Sequence, residues 1–369
     1  MGPVTEVPSA GEQFNRLALE VFRYQMEANP VYGAFVRGRG IDPSEVHDWS
    51  EIPAVPTRAF KEIPLGSGGS RPVEATFRTS GTSLGQGPRG VHQVRDLSLY
   101  RDSLFGAANR FVAPAFRDTM KNRDHKNNIR LLFITPSPTQ LADSSLIFMF
   151  GEWMRVWDDG AGAFLADSGW RVREDALKRA VEACTGRGTP VLLGGTAFSF
   201  AHLLDQIDES EIPLPPGSVI VETGGFKGRT QAVPRAELYA GLSRTFGLPL
   251  ARIVNEYGMT ELLSQFYEPV LLEGGPADPE ERRHIGPPWV RTSVRDPISL
   301  APARDGEVGI LCHVDLANLD SVSAVLTEDL GYAVEDGFRI VGRAELAEAR
   351  GCSLLAEQLV AAARLPIVT

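Results

Sequence analysis

The chain predicts an α/β fold: a mixed, mostly parallel sheet flanked by helices, followed by a small β-rich subdomain. Two observations carry that expectation. From residue 129 onward, short β-branched or leucine-rich runs alternate with amphipathic helical patterns, and each run ends in glycine or a polar turn. After Pro287 and Pro288 the texture changes to short, closely spaced strand patterns. The expected division is an α/β core over 1–286 and, over 287–369, the β-rich subdomain with a short C-terminal helix. A chain of 369 residues, 43% of them hydrophobic, has enough apolar material for such a core.

The elements follow in order. Ser9 with Glu12 reads as a capping box, and Phe14, Leu17, Ala18, Val21 and Phe22 then recur at helical spacing. Pro53, Pro56 and Pro64 punctuate a loop, after which residues 73–90 pass from strand-like to glycine-rich. Strands are expected over 129–137, 191–195, 218–225 and 251–258. Between them, Leu177, Ala180, Val181 and Cys184 mark one helix face. Leu238, Leu242 and Phe246 mark another, with Pro234 near its start and Gly247 at its end. Residues 307–314, 327–332 and 338–343 supply the later strands. Ligands of open parallel sheets sit beyond the carboxyl ends of the strands, so the turns at 194–196, 222–225 and 255–258 are the places for chemistry.

Charge and cysteine usage exclude several classes. Thirty-seven basic against 47 acidic residues, scattered along the chain, leave a net charge of −10 and no basic stripe for nucleic acid. Cys184, Cys312 and Cys352 lie far apart, which argues against a disulfide framework or a zinc site. Neither an export signal nor a membrane span is legible, and a cytoplasmic location is expected.

Three segments carry chemistry. Thr79, Ser80, Gly81, Thr82 and Ser83, followed by Gly85 and Gly87, can wrap backbone N–H groups and hydroxyls around phosphate oxygens, or form a flexible linker. The same stretch contains G-x-S-x-G around Ser83, but the glycines and Pro88 that follow disfavour the helix a hydrolase elbow needs. In the second segment, residues 255–261 (N-E-Y-G-M-T-E) end a strand with an aromatic, a hydroxyl and a carboxylate, fit for a base, a phosphate and Mg²⁺, or for an ordinary core aromatic and turn. The third, T-E-D-L-G at 327–331 with Gly342 and Arg343 beyond it, offers a carboxylate for vicinal hydroxyls and a fixed cation.

Taken in order, these segments resemble the phosphate-loop, adenine and ribose motifs of the adenylate-forming superfamily of acyl and aryl carboxylate ligases. The likeness is most specific to LuxE-type acyl-protein synthetases, through I-P-x-V-P-T-R-x-F-K at 52–61 and A-R-G-C-S-L at 349–354. The resemblance implies ATP and Mg²⁺ as cofactors and a carboxylic acid, most simply a fatty acid, as substrate. Thr79 to Ser83 would hold the β- and γ-phosphates, Tyr257 stack on adenine, and Gly224 and Gly225 line the adenine and acyl pockets. Thr260 would touch the α-phosphate, Glu261 ligate Mg²⁺, Asp329 bind ribose, and Arg343 sit near the nucleotide. Acyl transfer would go to Cys352 and then to a partner such as an acyl reductase or carrier protein.

Two departures from the family pattern stand out. Gln86 and Arg89 stand where the phosphate loop usually carries lysine, and Thr369 falls about where larger ligases begin a mobile C-terminal lobe. Cys352 precedes a run of strong helix formers, so a helix N-terminus favouring the thiolate is one expectation, and packing beside Leu355 and Leu359 the other. Cys184 and Cys312 fit core patterns. His92 is the one histidine placed to join a site, and Phe148, Met149, Phe150, Trp153, Met154 and Trp157 line either an apolar cavity or the core. Delivery to coenzyme A or a carrier protein with Cys352 structural, and a catalytically silent nucleotide-binding protein, are the alternatives.

Overall fold

A computed structural model describes residues 9–67, 71–80, 88–116, 129–207, 212–224, 233–276, 278–344 and 350–363. Helices α1 (Ala10–Ala28) and α2 (Pro30–Gly38) come first, then the two-residue strand β1 (Val55–Pro56). The hairpin strands β2 (Ala75–Arg78) and β3 (Val91–Val94) lead into α3 (Leu97–Phe111). The alternating run then reads β4 (Arg130–Phe133), α4 (Ser145–Trp157), β5 (Ala163–Phe164), α5 (Glu174–Thr185), β6 (Val191–Thr196), α6 (Ala197–Gln206), β7 (Val219–Thr223), α7 (Arg235–Phe246), β8 (Ile253–Tyr257) and β9 (Phe266–Tyr267). A one-turn α8 (Val270–Glu273) precedes β10 (Val290–Arg295), β11 (Gly309–Asp315), β12 (Ala324–Val334), β13 (Gly337–Arg343) and α9 (Arg350–Ala363).

Strands β4 to β9 form one sheet in the order β5-β4-β6-β7-β8-β9, parallel except for β9. Both faces are covered, as parallel sheets require. Leu131, Phe133, Leu192 and Val221 pack on α3 and α4, while Leu132, Leu193 and Ile220 pack on α5, α6 and α7. The α/β expectation holds, and its punctuation holds in detail. Ser9 and Glu12 form a reciprocal capping box on α1, and Gly247 ends α7 in the left-handed conformation at φ 64°.

The second sheet is antiparallel through β10, β11, β12 and β13, with β1 added in parallel along β12. Its core therefore draws on both ends of the sequence. Phe14, Phe22 and Phe35 pack with Ile310, Val325, Cys352 and Leu359. Buried Gln25 of α1 stitches the same junction, donating to Asn318 O at 2.8 Å and accepting from Ser323 N–H at 2.9 Å. Among the described residues no helix is long and apolar enough to cross a membrane.

Candidate active site

The carboxyl ends of β6, β7 and β8 come level: Thr196 pairs with Thr223, and Thr223 with Glu256. Alternation then turns these three side chains to one face. Thr223 Oγ1 donates to the buried Glu256 carboxylate. A Cβ at Gly258 would stand 2.5 Å from Glu256 Oε1, so a side chain there would displace that carboxylate. All four residues line a cavity of about 400 Å³, together with the polar or small residues Ser80, Gly224 and Thr260 and the larger, mainly apolar Tyr100, Leu146, Met149 and Phe198. The turns singled out from sequence thus meet, but the level arrangement of Thr196, Thr223 and Glu256 was not legible.

The phosphate-loop segment spans the tip of the β2–β3 hairpin, whose strands pair from Ala75 with Val94 to Arg78 with Val91. Gly81, Thr82, Ser83 and Gln86 lie outside the described residues, as does Gly225; the two ends of the loop are described. Thr79 N–H donates to Gly90 O, and Gly90 N–H to Thr79 Oγ1 at 2.8 Å. Thr79 is therefore engaged in closing the loop, while Ser80 reaches the cavity. Arg89 clasps the same stem: Nε donates to Thr79 O at 2.6 Å, and Nη1 meets Asp143 Oδ2 at 2.8 Å. The cation expected to replace lysine is held at the base of the loop, on the cavity wall.

His92 on β3 ties this hairpin to the Tyr257–Glu261 turn. Its Nδ1 bonds Thr260 O at 2.7 Å, and because a carbonyl only accepts, Nδ1 carries the proton. Burial lowers the imidazole to about 4 although the Thr260 bond opposes that shift. The ring is thus neutral at physiological pH. The unfolded chain takes up this proton first, so the stability His92 contributes falls as pH drops from about 6.5 toward 4. Loss of the donor in His92→Leu is expected to cost about 1 kcal/mol of stability, the equivalent of one hydrogen bond, and His92→Asn less. Melting curves at neutral pH check both.

Tyr257 does not line the cavity. Its ring lies 5.6–5.9 Å from those of Phe266, His284, His313 and Phe338, and its hydroxyl donates to Asp329 Oδ2 at 2.8 Å. Two of the three motifs are therefore in direct contact. Arg343 stands opposite Asp329 in the β12–β13 ladder and donates to Glu328 Oε2 at 2.6 Å. Burial works against the Arg343 charge, but Asp329, Glu328 and Glu261 outweigh it and hold the guanidinium above its ordinary value. Glu261 is buried, and its carbonyl accepts from Asn318 Nδ2 at 2.8 Å. The turn beyond it is gripped by Asp315, which accepts from Leu263 N–H, Ser264 N–H and Ser264 Oγ. Burial pushes that carboxyl up to about 6.

Cys352 sits in the first turn of α9, where the run of helix formers placed it. The thiol, however, faces inward: it is 5% exposed and its Sγ lies 3.9 Å from Thr327 O. Burial, reinforced by Glu328 and Cys312, pushes it up to about 12. Desolvation here overrides the helix N-terminus, contrary to the thiolate expectation. Cys184 and Cys312 are buried too. Of the aromatic stripe, Met149 lines the cavity, while Phe150, Trp153 and Trp157 are core. Among the described residues no group of three or more His, Cys, Asp or Glu side chains is placed to hold a metal ion.

The model of the family "Acyl-protein synthetase, LuxE" matches residues 180–360. The long-chain-fatty-acid–luciferin-component ligase of Aliivibrio fischeri is 25% identical over 92% of this chain and 86% of its own length. Among solved structures, a 2-hydroxyisobutyryl-CoA ligase in complex with 2-HIB-AMP and CoA has a TM-score of 0.60 at 16% identity, covering 94% of this chain and 73% of that one. An ATP-bound RpMatB-BxBclM chimera has a TM-score of 0.50 at 15% identity over 75% of this chain, which spans about half (49%) of the chimera's length. The structural likenesses show the fold of these ligases, and in sequence the chain is similar to the LuxE acyl-protein synthetases, whose family model it matches over residues 180–360.

Proposed function

We propose that the chain activates a carboxylic acid, most simply a long-chain fatty acid, as an acyl adenylate and then passes the acyl group to Cys352. The observation that carries this reading is one cavity lined both by hydroxyl-bearing and glycine residues and by apolar side chains, where Ser80 and the turn Gly258 to Thr260 meet. Such a space suits a carboxylate presented to a nucleotide with its hydrocarbon tail packed away from water. The relative's name, a long-chain-fatty-acid ligase, supports the substrate class.

A carboxylate oxygen attacks the α-phosphorus of ATP, the bond to pyrophosphate breaks, and an acyl adenylate remains. Ser80, Thr260, Gly224 and Gly258 line the cavity, and their hydroxyls and backbone N–H groups would donate to phosphate oxygens as charge builds. Mg²⁺ would be held mainly by the nucleotide, with Glu261, buried next to cavity-lining Thr260, as the carboxylate the motif resemblance points to; it would supply neutralisation of phosphate charge. The Asp329 carboxylate has the chemistry to accept from ribose hydroxyls, with the Tyr257 hydroxyl fixing its orientation. In the second step the Cys352 sulfur attacks the acyl carbonyl, the bond to AMP breaks, and the thiol proton is released. A partner thiol would then accept the acyl group.

Isotope exchange between ATP and pyrophosphate over fatty and aromatic acids tests the first step, and intact mass with hydroxylamine lability tests the second. Absence of exchange with every acid, despite ATP binding, would sink the reading.

As placed, the buried and protonated thiol is a poor nucleophile, so transfer would call for the first turn of α9 to leave Thr327. Gly351 controls that seat: its N–H donates to Pro297 O at 3.3 Å, and a Cβ would lie 2.8 Å from Leu300 Cγ and 3.0 Å from Ile298 O. Gly351→Ala is expected to loosen the turn, lower the melting temperature and speed iodoacetamide labelling of Cys352 about tenfold, from overpacking of about 1–2 kcal/mol. Labelling followed by mass spectrometry reads the outcome.

A further inference from the structure

Between β5 and α5 the chain makes a small closed loop, pinned by a bridge between Ala166 and Val172. Inside it, Trp170 N–H donates to Asp167 O at 2.9 Å and Asp167 N–H to Arg171 O at 3.1 Å. The Asp167 carboxylate also accepts from Gly169 N–H at 2.9 Å and Arg171 N–H at 3.0 Å. These bonds hold residue 170 in the left-handed region, at φ 65°. That conformation suits glycine or asparagine and is a genuine outlier for a bulky side chain. The neighbouring Gly169 does not take it. A tryptophan kept in the strained position, next to a glycine that would relieve the strain, calls for a reason in its side chain.

The side chain supplies one. Trp170 lines the same cavity as Tyr100, Leu146 and Met149, remote in sequence from every motif. Tyr100 and Met149 are buried, whereas Trp170 and Phe198 are partly exposed. Nothing in the activation chemistry needs an indole there.

We infer that Trp170 is a specificity-determining residue: its indole is the wall that sets how long and how bulky a carboxylic acid the cavity admits. This rests on the acid-activating reading above. The aspartate-braced turn makes the wall rigid, because an indole free to swing aside would discriminate poorly between acids differing by a few methylenes.

The test compares the parent chain with Trp170→Gly and Trp170→Phe. Pyrophosphate exchange is measured on straight-chain saturated acids from short to long and on branched and aromatic acids, with acid binding followed by calorimetry. Glycine suits the backbone, so Trp170→Gly is expected to melt no lower than the parent. Its ratio of kcat/KM between an excluded acid and the best parent substrate is expected to rise about tenfold, the scale of one or two methylenes in an apolar pocket, with KM for ATP unchanged. Trp170→Phe is expected to shift the same ratio less, in the same direction. A parent that binds and activates acids beside variants with its unaltered acid profile overturns this inference alone. A parent that neither binds nor activates any acid overturns the acid-activating reading and this inference with it.

Discussion

Asp329→Ala is expected to lower kcat/KM for ATP in pyrophosphate exchange about 10³-fold, because two charge-assisted hydrogen bonds to ribose, at about 2 kcal/mol each, are lost together. The same change strips the Tyr257 hydroxyl of the acceptor it holds at 2.8 Å. Asp329→Asn separates these effects. Its amide oxygen still accepts from Tyr257, so the ring stays seated and the loss is expected to be about 30-fold. Direct nucleotide titration should show the deficit in binding, and melting curves should show Asp329→Asn near the parent. An Asp329→Ala protein with the parent's KM for ATP would remove the ribose role.

Cys352→Ser is expected to abolish covalent acylation of the chain, at least about 100-fold below the parent by intact mass, while leaving pyrophosphate exchange within about twofold. Serine fits the seat, since its hydroxyl can donate to the Thr327 carbonyl that Sγ approaches at 3.9 Å. Loss of acylation with exchange intact assigns the transfer step to Cys352. Unchanged acyl delivery to an added thiol would instead favour coenzyme A or a carrier protein as acceptor. A companion measurement follows from burial, which moves the thiol from 9.0 to about 12 and so reduces its thiolate fraction at neutral pH about 10³-fold. Alkylation of the resting chain is therefore expected to be slow at pH 7 and to keep accelerating beyond pH 10. If ATP and acid together unseat α9, they should relieve that protection.

Local order was legible because it depends on neighbours in sequence. Ser9 and Glu12 announce the start of α1, Gly247 the end of α7, and the strand runs before Thr196, Thr223 and Tyr257 the parallel sheet. Side-chain direction at the site was not legible in the same way. Tyr257 and Glu256 are adjacent, yet only the carboxylate reaches the cavity, because alternation along β8 turns the ring toward Phe266 and Phe338. Arg89 was visible as a cation, but its place at the loop stem depends on Asp143 across the fold. The inward turn of Cys352 depends likewise on α9 docking against α2 and β1, which brings Sγ to the Thr327 carbonyl.

The seam between α1, β1 and β12 also bears on how the molecule is made. Gln25 finds its carbonyl partner 293 positions later, and Val55 pairs with Val325. During translation α1 and α2 can pack on each other, but the apolar surface they share with β11 and β12 stays bare until those strands leave the ribosome. Such long-range closure is slow and invites sticking to other nascent chains, so chaperone supply should govern how much of this protein a cell recovers in native form.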